Sequence, residues 1–339
     1  MPESATEGTR VRIAVDAMGG DKAPAEIVAG ALDAVAANAD LSALLVGRED
    51  EITPLLPGGA APERVELLPA TEVIAMDEEP ATAARSKKDS SLVRAAQAVK
   101  DGQADAMVGA GNTGATMAAA LLKLGRIRGI TRPAIAVPIP VPGSRPQLLV
   151  DAGATVDCAP EWLVQSALMG REYARTRLGV DEPTIGLLSN GEEPGKGDEL
   201  RKAVFPLLEK VEGFTGNVEG RDLMHGGVDV IVTDGFTGNV ALKSLEGALR
   251  AAVTVVFGVL EATPQARDAA SVLMPLFLDA AAIFDPDTTG GAALLGVRGV
   301  CVISHGSSSA AAIVNAMRLA ADCVQNGVVG RLEETVRAG

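Results

Sequence analysis

Four glycine-containing turns hold most of the residues in this sequence that are suited to binding an anion. Each turn follows a short apolar run and precedes a helix-like segment, so its backbone N–H groups lie at a helix N-terminus, which attracts negative charge. Because open α/β sheets bind ligands at the carboxyl ends of their strands, we predict that the four turns share one edge and form an anion-binding face. For any single turn, local turn and capping geometry explains the same residues at least as well. The candidate residues are Asp16, Gly19, Gly20, Gly111, Asn112, Thr113, Gly114, Asp234, Gly235, His305, Gly306 and Ser307.

A lysine on a glycine-flanked loop supplies the positive charge that such a face needs. Lys196 lies in the stretch GEEPGKG at residues 191–197, just after an apolar run. A mobile ammonium group there suits holding a phosphate or stabilising a developing oxyanion. The alternative is an ordinary exposed lysine, neutralised by Glu192 and Glu193.

Other common catalytic patterns are missing or incomplete in the sequence. Residues 109–114 read G-x-G-x-x-G, but residues 106–150 contain no Asp or Glu. The acidic residue that binds a ribose about 20 positions after this motif is therefore lacking, and a nicotinamide-dependent dehydrogenase stays a weak alternative. Neither a P-loop nor the G-x-S-x-G pattern of a serine nucleophile occurs.

Short apolar runs alternate with longer helix-like segments, and these are the elements that must position the turns. The runs are continuously apolar, as expected of parallel strands covered on both faces. Strand–helix alternation predicts an α/β fold, a three-layer α/β/α arrangement around a mainly parallel sheet. Predicted strands cover residues 11–17, 43–47, 106–109, 148–151, 184–188, 228–233 and 300–304. Predicted helices cover residues 25–37, 91–101, 113–124, 161–178, 198–210, 239–260 and 307–326.

The 339 residues are enough for two ordinary domains. The Pro- and Gly-rich stretches 54–62, 133–146 and 191–197 are too short to act as linkers. We therefore predict a flexible terminus over residues 1–10 and one unit over residues 11–330. Whether that unit has two lobes is left open.

Charge is distributed unevenly along the chain. The protein has 30 Lys and Arg against 44 Asp and Glu, a net charge of −14. A net anion repels nucleic acid, so we predict no nucleic-acid partner. Against this background we interpret a basic island as a docking site for an acidic partner, the alternative being a solvated helix end. The island comprises Lys123, Arg126, Arg128 and Arg132.

Cysteine usage and hydropathy indicate the cellular compartment in which the protein works. Cys158, Cys301 and Cys323 are far apart and form no C-x-x-C pair, so we expect neither a disulfide framework nor a metal site. Neither a signal peptide nor an 18-residue apolar run is present. We therefore expect a cytoplasmic protein.

The turns, in this order, resemble those of the bacterial phosphate acyltransferase family (the PlsX type). The longest matching stretches are IAVDAMGGDKAP at residues 13–24 and DVIVTDGFTGNVALK at residues 229–243. The resemblance extends from about residue 13 to residue 321. Shorter matches are KKDSSL at 87–92, ADAMVGAGNTGA at 104–115, GEEPGKG at 191–197, GNVEGR at 216–221 and HGSS at 305–308.

The resemblance implies acyl transfer from an acylated acyl carrier protein to inorganic phosphate, without a cofactor. The acyl phosphate would feed a membrane acyltransferase that begins phospholipid synthesis. The family's fold is similar to those of isocitrate and isopropylmalate dehydrogenases and of phosphotransacetylases. By motif match, Lys196 and Asn239 are the expected catalytic pair, with the basic island as the carrier-protein site. Coenzyme A in place of the carrier protein is left as an alternative donor.

The resemblance also implies an assembly and a location. Family members form homodimers and associate with the inner face of the membrane. Their membrane-binding helical hairpin corresponds to about residues 248–282 here. Packing in the core or in a dimer is an equally good interpretation of its apolar residues.

Overall fold

A mixed sheet of eleven strands runs through the computed structural model, which describes residues 10–338. The predicted flexible terminus, residues 1–10, lies outside this range except for Arg10. In sheet order the strands are β3, β2, β1, β4, β11, β10, β5, β6, β9, β7 and β8. Their bounds are β1 Val11–Asp16, β2 Leu41–Gly47, β3 Val65–Pro69, β4 Ala106–Gly109, β5 Ala134–Ile139, β6 Gln147–Val150, β7 Ile185–Leu188, β8 Phe214–Val218, β9 Val230–Val232, β10 Ala292–Leu295 and β11 Val300–Ile303.

Helices cover both faces of the sheet, so the α/β fold with a mainly parallel sheet is confirmed. On one face the core joins β1 to helices α1, α6, α7, α11 and α12, and on the other to α3, α4 and α5. Residues 13–15 of β1 alternate between the two cores, because successive strand side chains point to opposite faces. The helices are α1 Ala25–Ala37, α2 Glu49–Ile52, α3 Pro80–Ser86, α4 Ser91–Lys100, α5 Thr113–Lys123, α6 Pro160–Leu178, α7 Glu199–Leu208, α8 Gly235–Glu261, α9 Pro264–Ala282, α10 Pro286–Thr289, α11 Ala310–Gln325 and α12 Val328–Ala338.

Antiparallel pairings in the middle of the sheet reverse its direction. β11 pairs antiparallel with β10, β10 with β5, and β5 with β6, so β6 and its parallel neighbours β9 and β7 run opposite to β11. The prediction that all four turns share one edge is therefore wrong for residues 234–239, which follow β9. Apolar runs predict which residues form strands, but strand direction depends on pairings between distant segments.

The reversal still leaves the two sets of strand ends close together. Ile303, at the end of β11, pairs with Ala292 of β10, and the adjoining Ala293 pairs with Ala136 of β5. Ala136 pairs in turn with Val150, at the end of β6. The ends of β11 and β6 thus lie almost level, three strand spacings or about 15 Å apart. α8 begins beside β6, and Asn239 and Leu242 of this helix border the same cavity as residues of β5 and β10.

Four strands, β3, β5, β8 and β10, were not predicted from the sequence. Of these, β5 runs through the centre of the sheet. This strand lies inside the Pro-rich stretch 133–146, where we predicted neither a strand nor a helix. Pro138 is tolerated because β10 pairs only with residues 134–136 of β5, so the missing N–H removes no bond to that neighbour.

Two consecutive helices, α8 and α9, occupy the region of the expected hairpin, with α8 starting earlier than residue 248. They pack against each other and leave several large apolar side chains exposed. Beyond residue 248 the most exposed are Val255, Val259, Val272, Leu276 and Leu278. No helix in the described part of the chain is long and apolar enough to cross a membrane.

Candidate functional site

Three of the predicted turns meet at the carboxyl ends of the adjacent strands β1, β4 and β11. The backbone N–H of Asp21 donates to the carbonyl of Gly306 at 2.8 Å. A Cβ atom on Gly20 would lie 2.7 Å from the Ala110 carbonyl oxygen and 2.8 Å from that of Gly306. A Cβ atom on Gly19 would lie 2.9 Å from the Gly111 nitrogen. Side chains are thus excluded at both positions, and the turns form one continuous backbone surface.

Asp16 lies beneath this surface and is only 3% exposed. Burial raises the pKa of its carboxyl group to about 6, against the smaller opposing effects of hydrogen bonds from Ser91 and the Met18 N–H. The Met18 nitrogen is 3.3 Å from Oδ1. Asp16 therefore supports the turn from below, where the described chain leaves it little access to a ligand.

This raised pKa predicts a pH-dependent stability. The folded state binds the Asp16 proton more tightly than the unfolded state, so its contribution is complete below the unfolded value of about 3.8 and is lost as pH rises through about 6. Compared with Asp16→Asn, the wild-type free energy of unfolding should fall by up to about 3 kcal/mol between pH 4 and pH 7. Urea unfolding across that range measures it. The Asp21→Asn variant of the exposed neighbouring carboxylate should keep the wild-type profile, and parallel profiles for wild type and Asp16→Asn would contradict the prediction.

A cavity of about 150 Å³ lies beside the three turns and brings Asn239 to them. Its polar lining includes Thr113 of α5, Asn239 of α8, and Ser304 and His305 after β11. The predicted residues Thr113, His305 and Asn239 therefore come together, although the last belongs to the reversed half of the sheet. The remaining lining combines apolar residues of β5, β10 and α8 with Lys243, Glu246, Asp287 and Ser308.

Asn239 is held by the loop that follows β6. Its Nδ2 donates to the Ala152 carbonyl at 3.2 Å, and a Cβ atom on Gly153 would lie 2.8 Å from the same nitrogen. An amide has two N–H donors and a carbonyl oxygen, so one N–H and Oδ1 stay available toward the cavity.

The loop itself is organised by Asp151, which the sequence analysis did not select. Its Oδ1 accepts the backbone N–H groups of Ile135, Gly153 and Ala154, and its Oδ2 accepts that of Thr155 at 2.7 Å. Burial raises the pKa of Asp151, and these four hydrogen bonds oppose the rise. An acidic residue directly after a strand and before a Gly was the signal in the sequence that pointed to this role.

Asp234 and Gly235 form hydrogen bonds with backbone groups around the start of α8, so few N–H groups there are free to bind an anion. Asp234 caps the Thr237 N–H at 2.8 Å, and the Gly235 N–H donates to the Thr155 carbonyl at 2.8 Å. The Gly238 N–H bonds to the Asp234 carbonyl. The expected phosphate cradle at the start of α8 is therefore largely filled by the chain's own acceptors.

A buried arginine donates to the second carboxylate oxygen of Asp234, Oδ2. Arg201 is 6% exposed and pairs with Asp234, while also donating to the Leu188 carbonyl and the Thr233 hydroxyl. Burial raises the pKa of Asp234, but hydrogen bonds from Thr237 and the charge of Arg201 outweigh it and leave the pKa below its usual value. Removing Arg201 would leave a buried carboxylate unpaired, so its role is to hold α8 in place.

The side chain of Asn112 also has a structural role, because both its oxygen and its nitrogen are hydrogen-bonded to the backbone. Its Oδ1 caps the Ala115 N–H at 3.0 Å, and its Nδ2 donates to the carbonyls of Met76 and Glu78. Gly114 is enclosed by Pro80, because a Cβ atom added to this glycine would lie 2.7 Å from the proline ring. Of the second turn, Thr113 is the residue that lines the cavity.

His305 and Ser307 contact each other at the cavity rim. Nδ1 of His305 lies 2.7 Å from Ser307 Oγ and accepts the Ser307 backbone N–H at 3.2 Å. Because Nδ1 accepts, a neutral ring carries its proton on Nε2. His305 is thus oriented as a donor through Nε2.

Lys196 lies on the loop that follows β7. Its side chain is exposed and folds over Gly191, where an added Cβ atom would lie 2.7 Å from Lys196 Cγ. Lys196 is not among the residues that line the Asn239 cavity. The neighbouring Gly197 and Thr237 border a separate cavity of about 330 Å³. The structure therefore places Lys196 near the same helix end without bringing it to Asn239.

The basic island begins at the far end of α5 from Thr113. Arg128 is exposed, Arg126 donates to the Thr131 carbonyl, and Arg132 stacks on the Trp162 ring with its guanidinium carbon 4.9 Å from the ring centroid. Within residues 10–338 none of these three, nor Lys123, makes an ion pair. Their charges are thus available to a partner.

Comparison with known proteins identifies relatives over nearly the whole chain. A family model described as a fatty acid synthesis protein matches residues 11–331. A phosphate acyltransferase of Desulfitobacterium hafniense (strain Y51) is 49% identical over 327 residues, which are 96% of this chain and 97% of that protein. A phosphate acyltransferase of a Geobacillus species (strain WCH70) is 46% identical over 96% of this chain and 98% of that protein.

Solved structures share the fold at low identity. A phosphotransacetylase from Streptococcus pyogenes superposes with a TM-score of 0.63 at 16% identity, covering 94% of this chain and 95% of that one. A 4-hydroxythreonine-4-phosphate dehydrogenase from Klebsiella pneumoniae reaches a TM-score of 0.52 at 13% identity over 95% of this chain and 100% of that one. Both acyl-transfer and dehydrogenase enzymes thus use this architecture, so the fold alone does not choose between them.

Proposed function

Because the chain belongs to the phosphate acyltransferase family, we propose that it transfers an acyl group from an acylated acyl carrier protein to inorganic phosphate. The observation that carries the proposal is the cavity that brings Asn239, Thr113 and His305 together with the apolar side chains of Ile135, Val137 and Leu242. Such a cavity suits a reaction between a small polar oxyanion and the carbonyl carbon of a thioester that carries an apolar acyl chain.

In the proposed step, a phosphate oxygen forms a bond to the thioester carbonyl carbon. The tetrahedral oxyanion that results then collapses, the carbon–sulfur bond breaks, and the carrier leaves as a thiol after taking up a proton. Phosphate is already anionic, so positioning it against the carbonyl contributes more than a strong base would. We assign the free N–H of Asn239 and the Nε2–H of His305 to binding the phosphate or the oxyanion.

The direct test is a thiol-release assay with purified protein, an acylated carrier protein and inorganic phosphate. We expect free carrier thiol and acyl phosphate to form in equal amounts, and only when phosphate is present. Thiol release that does not depend on phosphate, or no release from any acyl donor, would overturn the proposed function. The same assay with acyl coenzyme A compares the two donors.

We assign Lys196 to phosphate capture through movement of the loop 191–197. Lys196 is exposed on that loop, and the next residue, Gly197, borders the same cavity as Thr237 in the first turn of α8. Lys196→Ala should raise the KM for phosphate by about tenfold, as expected for the loss of one charge-assisted hydrogen bond. Steady-state kinetics measure this, with Lys202→Ala on the exposed face of α7 as the control. An unchanged KM and kcat would remove Lys196 from the mechanism.

The basic island supports a carrier protein as the donor, because acyl carrier proteins are acidic. Lys123 and Arg128 are the members whose side chains make no ion pair, hydrogen bond or aromatic stacking contact within the described residues. The double variant Lys123→Glu/Arg128→Glu should raise the KM for the acylated carrier protein by about tenfold at low salt, since charge reversal slows electrostatically steered association. Acyl coenzyme A turnover and the control Lys210→Glu should stay within about twofold of wild type. Equal losses with both donors would contradict carrier docking here.

The proposed product and location follow from this activity. Acyl phosphate is a reactive acyl donor, and we propose that a membrane acyltransferase uses it to begin phospholipid (phosphatidic acid) synthesis. The exposed apolar residues on α8 and α9 support peripheral attachment of a cytoplasmic protein to the inner membrane face, or packing against a second copy in a homodimer.

A further inference from the structure

An apolar cavity of about 60 Å³ continues from the Asn239 cavity along the inner face of α8. The two cavities share Val137, Leu242 and Glu246, so they form one trough with a polar end and an apolar end. The polar end holds Asn239 and His305. The apolar end reaches Leu249 and Phe284, just beyond α9.

Regular secondary structure builds both sides of the trough. Ile135, Val137 and Ile139 alternate along β5, so they project to the same face of the sheet and form the floor. Leu242 and Leu249 are seven residues apart on α8, with Leu245 between them, so they project from one helix face. The floor is almost fully buried, with Ile135 5% and Ile139 1% exposed.

The charged residues that border this trough lie at its polar end, its junction and its far end, and Asp287 and Lys243 line the Asn239 cavity. Glu246 lies at the junction of the two cavities, and its carboxylate pairs with Lys243 at 2.8 Å. Asp285 stands at the far end. A narrow channel with aliphatic side walls, whose charged groups are confined to its ends and its junction, suits an unbranched alkyl chain better than a ring or a sugar.

We propose that this trough binds the alkyl chain of the acyl donor and that its far end, at Leu249 and Phe284, sets the preferred chain length. The inference rests on the proposed function, because it places the thioester carbonyl at Asn239. From Asn239 to Leu249 the helix rises about 15 Å. An extended chain advances about 1.25 Å per carbon, given C–C bonds of about 1.5 Å, so about twelve carbons fill this distance. Leu245 lies about 9 Å from Asn239, at about the seventh carbon.

The test measures kcat/KM for acyl donors of 6, 12 and 16 carbons with saturating phosphate. Leu245→Trp should block the middle of the trough and lower kcat/KM by at least tenfold for the 12- and 16-carbon donors, while the 6-carbon donor stays within threefold of wild type. The matched control is Ser244→Trp, which places the same ring on the adjacent exposed position and should leave all three values unchanged.

A second variant keeps the test decisive if the tryptophan disturbs folding. Leu249→Ala shortens a half-buried side chain at the far end and should raise the 16-carbon to 12-carbon ratio of kcat/KM severalfold. Losses that are equal at all chain lengths, or no change of ratio in either variant, overturn the inference while wild-type turnover still supports the proposed function. If the wild-type protein uses none of the donors, the proposed function itself fails.

Discussion

Replacing Asn239 with alanine is expected to lower kcat by about 10²–10³-fold, the effect typical of removing one preorganised donor to a developing oxyanion. The side chain is oriented before substrate binds, because its Nδ2 donates to the Ala152 carbonyl at 3.2 Å and its amide borders the cavity with Thr113 and His305. Folding should be little affected, since alanine is a better helix former than asparagine. Phosphate-dependent thiol release measures the change.

The matched control for this variant lies on the same helix. Ser244→Ala alters an exposed position of α8 five residues further along and should leave kcat within about twofold of wild type. Thermal unfolding of both variants checks that α8 is intact. If Asn239→Ala turned over as fast as Ser244→Ala, the oxyanion would have to be stabilised elsewhere.

The second large effect is expected from Gly153→Ala, which touches no substrate. Gly153 has φ +142°, and an added Cβ would lie 2.8 Å from Asn239 Nδ2. The substitution should therefore push the amide out of position, and a displacement of about 1 Å can lower kcat about 10²-fold. The backbone strain should also lower the free energy of unfolding by about 1–3 kcal/mol.

Gly216→Ala separates these two consequences. Gly216 has a similar φ of +119°, but no atom lies within 4 Å of a Cβ placed on it. Both variants should lose comparable stability in urea unfolding, whereas the large loss of kcat should occur only in Gly153→Ala. Similar kcat values in the two variants would show that the loop after β6 does not position Asn239.

Much of the fold followed from local patterns in the sequence. The continuous apolar runs of β1, β4 and β11 predicted buried parallel strands, because such strands are covered on both faces. These three strands are neighbours in the sheet. The turns that follow them, with Gly20, Gly111 and Gly306, therefore meet as predicted.

The central strand β5 escaped prediction because its sequence resembles a loop. Residues 133–146 contain several prolines, which normally mark turns or strand edges. The strand forms because its partners β10 and β6 lie more than 150 residues later and only a few residues later, respectively. A local sequence pattern carries no information about the pairing of β5 with the distant strand β10.

The order of amino acids was sufficient to identify the family, the strands β1, β2, β4 and β11 with the turns after β1, β4 and β11, and the chemistry that Asn239 and His305 can offer. The folded chain was needed to learn that the sheet reverses at β10, β5 and β6, that Asp151 and Arg201 anchor α8, and that Lys196 stands apart from Asn239. Propensity, capping and apolar periodicity act between residues close in the chain. Strand direction and the satisfaction of buried charges depend instead on contacts between segments far apart in it.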